Sequence, residues 1–242
     1  MSTRFDNRSY ENEWLDESDI PQDLLYRNLQ ELDVLNRNTG GHVITLDGIK
    51  QLVTDRSKAY HIVDLGCGSG DTLRAIADWA RVNRFSVRLT GVDMNSNVIG
   101  YLGKHCSTYP EIKGVAADYR EFLDQETSAD IVCCSLFCHH LDDNELLKLL
   151  AYFKEKVTTG FVINDLERSR MAYYSAWLFT RVLNGTPLAK NDGPISVLRA
   201  FKEAELKHLL EKANIHTYML QKRRFFRFLI VGRTNGYGTH TT

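Results

Sequence analysis

Three cysteines and two histidines fall within eight residues, CCSLFCHH at positions 133–140. Residues of these types can hold a metal, pair a thiol nucleophile with a base, or simply finish a buried strand. A second stretch, IVDLGCGSGDT at 62–72, runs an apolar segment into Gly66, Gly68 and Gly70. Glycine there allows a tight turn and lets a ligand approach the backbone. The first N–H groups of a helix starting after such a turn are free for a polar or anionic ligand. Asp64 sits where it can hold the loop or a ligand amine. Asp93 in LTGVDMN can accept hydrogen bonds from both ribose hydroxyls of a nucleoside, and Asp118 in VAADYREF can reach an adenine amino group.

The elements that must position these residues are legible as alternating patterns. Apolar strands are predicted at 60–65, 86–93, 112–116, 129–135 and 157–163, with helices at about 71–82, 96–106 and 143–155 between them. Such alternation indicates βαβ units and a parallel sheet with helices on both faces. Upstream, 22–38 and 45–54 read as helices. Downstream, a helix over 167–184 precedes a loop, NGTPLAKNDGP, then a helix at 202–213 and an antiparallel hairpin of strands at 215–221 and 224–232. Apolar residues run nearly all around the 167–184 helix, which predicts burial on several sides. Residues 1–20 read as a mobile or partner-dependent arm, and the tail NGYGTHTT as disordered.

Each acid closes its own strand, and in an open parallel sheet those carboxyl ends line the ligand crevice. A nucleoside-containing ligand follows. The glycine turn departs from the dinucleotide pattern G-x-G-x-x-G, since its third glycine comes one residue early, and no phosphate-binding G-x-x-x-x-G-K-[ST] is present.

DLGCGSG, VDMN, ADYREF and the segment after the fourth strand resemble successive motifs of the class I S-adenosylmethionine-dependent methyltransferases, over about residues 60–232. The resemblance implies an α/β Rossmann-like seven-stranded sheet of order 3-2-1-4-5-7-6, with the last strand antiparallel. It implies S-adenosylmethionine as cofactor and S-adenosylhomocysteine as product. Asp64, Gly66, Cys67 and Gly68 would then hold the methionine part, and Asp93 the ribose. Met94 would pack on the adenine, Asp118 and Tyr119 would recognise its edge, and Ser135 and Leu136 would lie beside the sulfonium. The N/D-P-P-Y segment common in amino-group methylation of DNA or glutamine is absent; SLFCHH stands there instead. That leaves oxygen, carbon or other nitrogen acceptors. NDLERSR, NDGPISVLRAF and LNRNTGG resemble a subgroup of small-molecule methyltransferases encoded beside type III polyketide synthases. This suggests a small aromatic or lipophilic acceptor of phenol, resorcinol or quinone type, methylated at oxygen or carbon.

His139 and His140 are the candidate catalytic bases, with a helix-capping or partly solvated role as the alternative. Tyr173, Tyr174 and Trp177, with Arg199, are candidate walls and anchor of a substrate pocket; core or a dimer face is the alternative for the aromatic stripe. Arg168 and Arg170 are further candidate anchors or surface residues. Successive side chains of a strand point to opposite faces, so Cys133 and Cys134 cannot share one metal, and no second zinc-like pair exists. No metal is expected; Cys133 and Cys134 become small buried residues, and Cys138 a pocket-lining thiol.

The 242 residues carry a formal net charge of -1, which gives no basic field to attract nucleic acid. Five cysteines suit a reducing compartment rather than a disulfide framework. No signal peptide is visible, and the most apolar segment, 171–179, is far shorter than the about 20 residues a bilayer needs. The expectation is a cytoplasmic protein with a small-molecule partner and no membrane span, with a homodimer left open. Its parts are an arm and helices at 1–55 capping the site, a domain at 56–235 with a helical insertion at 167–200, and a tail at 236–242. An RNA or protein methyltransferase, or a non-catalytic methyltransferase-like binding protein, are the alternatives.

Overall fold

The computed structural model describes residues 4–17, 19–125 and 129–234. The tail expected to be disordered lies outside the described residues. The apolar runs become seven strands: β1 Ala59–Leu65, β2 Ser86–Asp93, β3 Ile112–Ala116, β4 Ile131–Ser135, β5 Gly160–Leu166, β6 Tyr218–Arg223 and β7 Arg227–Arg233. They form one sheet of order β3-β2-β1-β4-β5-β7-β6. The first five are parallel, and β7 is antiparallel to both β5 and β6. Order and sense are those expected from the sequence.

Nine helices are described: α1 Gln22–Thr39, α2 Gly41–Leu52, α3 Asp71–Asn83, α4 Ser96–His105, α5 Tyr119–Gln125, α6 Asp143–Lys156, α7 Arg170–Val182, α8 Pro187–Arg199 and α9 Glu203–Lys212. Strand alternation divides the core in two. Ile62, Cys133, Val162 and Leu229 pack with Ile49 of α2 and Leu73 and Ile76 of α3. Val63, Cys134, Phe161, Ile163 and Ile230 pack with α6 and α9 on the other face. Among the described residues, no helix is long and apolar enough to cross a membrane.

Four expectations are corrected. The fifth strand starts and ends three residues later than the sequence pattern suggests. Gly160 sits where a Cβ would fall 2.3 Å from the Gly232 carbonyl oxygen, so close pairing begins there. The strand then continues through Asn164 and Asp165, which are buried and hydrogen-bonded rather than solvated. Second, most of the stretch read as loop is α8. Thr186 caps it by accepting from Ala189 N–H at 3.2 Å, and Pro187 fits the first turn. Leu188, Val197 and Leu198 are buried, which outweighs the cost of Gly193 and Pro194 inside the helix.

Third, α7 is not enclosed. It packs on α8, Ala172 is its one buried residue, and Met171, Tyr174, Leu178 and Val182 are exposed. Fourth, the described part of the N-terminal arm is docked. Phe5 and Glu13 are buried. Arg8 donates to the carbonyls of Arg199 and Leu141 at 2.9 and 2.8 Å and pairs with Asp143 at 2.8 Å.

Candidate active site

The glycine turn joins β1 to α3 at the carboxyl edge of the sheet. Gly66, Gly68 and Gly70 all have positive φ, at 67°, 49° and 72°. At Gly66 a side chain is excluded twice, since a Cβ would also lie 2.5 Å from the Phe137 ring. The turn is tied to β2: Gly66 and Cys67 N–H both donate to the Val92 carbonyl, and Gly68 N–H donates to Asp93 Oδ2 at 3.3 Å. The Cys67 thiol is buried against the Gly91 and Leu73 side of the core and donates to the Gly68 carbonyl at 4.0 Å.

Asp64 is the penultimate residue of β1 at 2% exposure, and its carboxyl's one hydrogen bond among the described residues comes from the Cys133 thiol at 3.4 Å. Burial, with Asp71 and Asp93 nearby, pushes its carboxyl up to about 8. Asp71, the first residue of α3, differs. Burial opposes its charge too, but hydrogen bonds from His42 Nε2 at 2.7 Å and Asn36 Nδ2 at 3.2 Å hold it below the usual carboxylate range.

Asp93 ends β2 and accepts the Asn95 N–H at 3.0 Å; burial raises its pKa. Met94 beside it is exposed. Asp118 follows β3 and is gripped by Arg120, which holds it below the usual range. The Tyr119 ring meets the Phe137 ring edge-on at 5.3 Å. Tyr119, Phe137 and Gly66 therefore line one continuous edge across three strand ends. Ser135 ends β4, and Leu136 follows with φ 55°. Leu136 N–H donates to the Asn164 carbonyl at 2.9 Å, which swings the next residues over the sheet edge.

His139 lies in the short turn Cys138–His140 and is 3% exposed. Its ring Nδ1 is 2.7 Å from Asp165 Oδ1, and its backbone N–H donates to Asp165 Oδ2 at 3.1 Å. A carboxylate accepting from Nδ1–H selects the tautomer whose Nε2 presents its lone pair. Burial opposes Asp165's charge, but His139 beside it keeps the carboxyl below its usual range. His139 Nε2 faces Glu13 Oε1 at 3.6 Å. His140 is held alike: Nδ1 lies 3.1 Å from Asp16 and Nε2 3.9 Å from Glu13 Oε2.

Glu13 is 3% exposed, and its Oε1 has no hydrogen-bond partner among the described residues. Burial pushes its carboxyl up to about 7, against the pull of His140 and a hydrogen bond with Ser196. Arg199 does not act as a free anchor. Its donors go to the carbonyls of His139, His140 and Glu11 at 3.3, 2.8 and 2.7 Å. It fixes the His139 turn and the arm together.

Cys133 and Cys134 are both buried on opposite faces, Cys133 beside Asp64 and Cys134 beside Cys138. Cys138 lies among Leu146, Leu150, Leu206 and Leu209, in the core rather than on the cleft. Tyr173 packs edge-on against Phe5 at 5.7 Å and Tyr174 at 5.3 Å. Tyr174 and Trp177 are exposed, so the aromatic stripe as a whole does not enclose a pocket in this conformation. Arg168 is buried and holds the arm through the Phe5 and Asp6 carbonyls, while Arg170 is exposed. Phe137, Glu13 and Asp165 are the site residues the sequence reading missed. The run NDL at 164–166 carried Asp165 in view, but only the end of β5 explains it.

Residues 62–160 match the family described as a methyltransferase domain. No curated protein matches. Human N-acetylserotonin methyltransferase in complex with SAM superposes with TM-score 0.59 at 14% identity, covering 88% of this chain and 56% of that one. The pyocyanin biosynthetic protein PhzM gives 0.55 at 18%, covering 81% and 55%. A SAM-dependent methyltransferase from Aquifex aeolicus gives 0.58 at 15%, covering 89% and 100%. The chain thus spans little more than half the length of the first two. At such identities the likeness is one of fold.

Proposed function

We propose that this chain is an S-adenosylmethionine-dependent methyltransferase whose acceptor is a small aromatic or lipophilic molecule of phenol, resorcinol or quinone type, methylated at oxygen or carbon. The observation that carries the reading is the meeting, at one sheet edge, of the glycine turn and its strand-end acids with a His139 oriented by Asp165. The residues fit the cofactor. Asp64 is a buried carboxyl lacking a cationic partner, which suits a ligand ammonium. Gly66 and Gly68 keep the turn free of side chains, and Asp93, already aligned by two backbone N–H groups, keeps lone pairs for ribose. Met94 would pack on the adenine face, Asp118 and Tyr119 would meet its edge, and Ser135 and Leu136 would lie at the sulfonium end. When bound, the cofactor supplies an electrophilic methyl on a cationic sulfur.

The chain's own work is to align the acceptor and manage its proton. Positioning supplies much of the rate in such a displacement. An oxygen acceptor, or a carbon activated by a phenol, sheds a proton, and His139 Nε2 takes it while Asp165 steadies the resulting imidazolium. His140 is the second candidate base, partly exposed and tied to Asp16. Glu13 covers both Nε2 atoms, so the arm acts as a cap that lifts to admit the acceptor, while α2 stays packed on the sheet. Tyr173 serves the pocket from the arm side; Tyr174, Trp177 and Arg199 serve it only if the cap rearranges.

The protein works in the cytoplasm, where its five free, buried cysteines stay reduced. A homodimer would join through the exposed apolar side of α7, and sedimentation at micromolar concentration checks this. The deciding experiment is calorimetry with S-adenosylhomocysteine, then mass spectrometry of methyl transfer to a panel of phenols, resorcinols and quinones. Micromolar binding that Asp93→Ala removes is expected. A folded protein giving no heat would end the reading.

A further inference from the structure

A buried cation with no ion-pair partner among the described residues stands at the same sheet edge. Arg227 opens β7 opposite Leu166, the last residue of β5. Because β7 is antiparallel, its first residue lies where the parallel strands end. The side chain is buried, at 3% exposure. Nη2 donates to Asn36 Oδ1 at 2.8 Å, while Nη1 is buried with no hydrogen-bond partner among the described residues. The carboxylates whose charge reaches it, Asp165 and Asp71, are committed to His139 and to His42 with Asn36. Burial pulls the guanidinium down to about 10, yet it stays charged at neutral pH. A buried charge is normally paired, and one left with an idle donor calls for a partner.

A complementary atom lies close by along the sheet. Asn164 is two positions before Leu166 on β5, so it shares that residue's face. It is fully buried; Nδ2 donates to the Gly41 carbonyl at 3.0 Å and to Thr45 Oγ1 at 2.9 Å, while Oδ1 has no hydrogen-bond partner among the described residues. Gly41 is what permits this close approach. A Cβ there would lie 2.7 Å from Asn36 Oδ1 and 3.2 Å from Arg227 Nη2. The LNRNTGG run thus gains a purpose: it brings Asn36 to Arg227 and the Gly41 carbonyl to Asn164.

We propose that Arg227 and Asn164 form a subsite for a carboxylate bearing a hydrogen-bond donor beside it. Arg227 Nη1 takes a carboxylate oxygen, and Asn164 Oδ1 accepts from the neighbouring ammonium or hydroxyl. Resting on the methyl-transfer reading, this carboxylate belongs either to the amino-acid end of the cofactor or to the acceptor.

Three titrations of wild type and Arg227→Gln separate these sources. They use S-adenosylhomocysteine, 5′-methylthioadenosine (which lacks the amino-acid end), and salicylate with and without S-adenosylhomocysteine. If the cofactor's carboxylate binds here, the variant weakens S-adenosylhomocysteine at least tenfold and leaves methylthioadenosine within twofold. If the acceptor's does, both nucleosides bind unchanged and the variant loses salicylate binding. Should Arg227→Gln fail to fold, Arg227→Lys keeps the charge without the fork, and a partial loss in the same column is expected. Equal behaviour of variant and wild type in all titrations, or equal weakening of both nucleosides, overturns the subsite and leaves a structural arginine. Failure of wild type to bind either nucleoside would instead count against methyl transfer, with salicylate alone still reading the subsite.

Discussion

Asp64 holds a carboxyl where an ionised one meets no cation among the described residues, and burial pushes its pKa up to about 8. A ligand ammonium reverses that balance by pairing with the carboxylate, so binding below pH 8 must release a proton. S-adenosylhomocysteine is therefore expected to bind more tightly as pH rises from 6 to 8. The calorimetric heat should depend on buffer ionisation enthalpy, and Asp64→Asn should flatten both effects. A pH-independent affinity in wild type would remove Asp64 from the ligand. His139 makes a different demand, because its partner selects its tautomer. Substituting His139→Ala is expected to lower kcat by on the order of 10² to 10⁴, with the S-adenosylhomocysteine Kd within twofold. Asp165→Asn should cost a similar factor, since an amide no longer fixes the proton on Nδ1. Initial rates with an acceptor from the phenol panel check both.

At the scale of elements, the arm is the piece whose behaviour is least obvious from its sequence. Its docking rests on Arg8, Phe5 and the neutral form of Glu13. Glu13's folded pKa, about 7, exceeds the ordinary 4.5, so its contribution is complete below 4.5 and is lost as pH rises through about 7. The ionised form in that buried place costs on the order of 3 kcal/mol, enough to loosen the arm. Hydrogen exchange at pH 8 should show residues 5–16 exchanging faster in wild type than in Glu13→Gln, with the two alike at pH 5.5. Matching exchange at both pH values would mean the arm does not sense Glu13. Periodicity alone revealed the strand ends, and with them Asp64, Asp93, Asp118 and His139, because βαβ alternation puts those residues at one edge. It could not reveal Glu13, Asp165 or Arg227, which reach the edge through the arm, the continuation of β5 and the antiparallel sense of β7. Pro187, Gly193 and Pro194 read as breakers, yet burial of α8 overrides them. The apolar ring of α7 read as buried, yet α8 takes the inner position.

For the molecule as a whole, the seven-stranded sheet concentrates its titratable cost at one edge. Glu13 and Asp64 both have raised pKa values, so each adds stability that is lost with rising pH, over about 4.5 to 7 and about 3.8 to 8. Asp71 and Asp165 have lowered values and act oppositely, adding stability that is lost as pH falls through their folded pKa, below 3.8. The apoprotein should therefore melt highest on the acid side of neutrality, with Tm falling from pH 5 to pH 8 by up to about 10 °C. A bound ammonium supplies the counter-charge Asp64 lacks, so saturating S-adenosylhomocysteine should shrink that fall, and Glu13→Gln should shrink it further, leaving the smaller share of Asp93. Differential scanning calorimetry across pH, with and without ligand, reads all four curves. A wild-type Tm that stays level or climbs between pH 5 and 8 would show that the edge is better solvated than its geometry implies, and that neither carboxyl is held neutral for a ligand to meet.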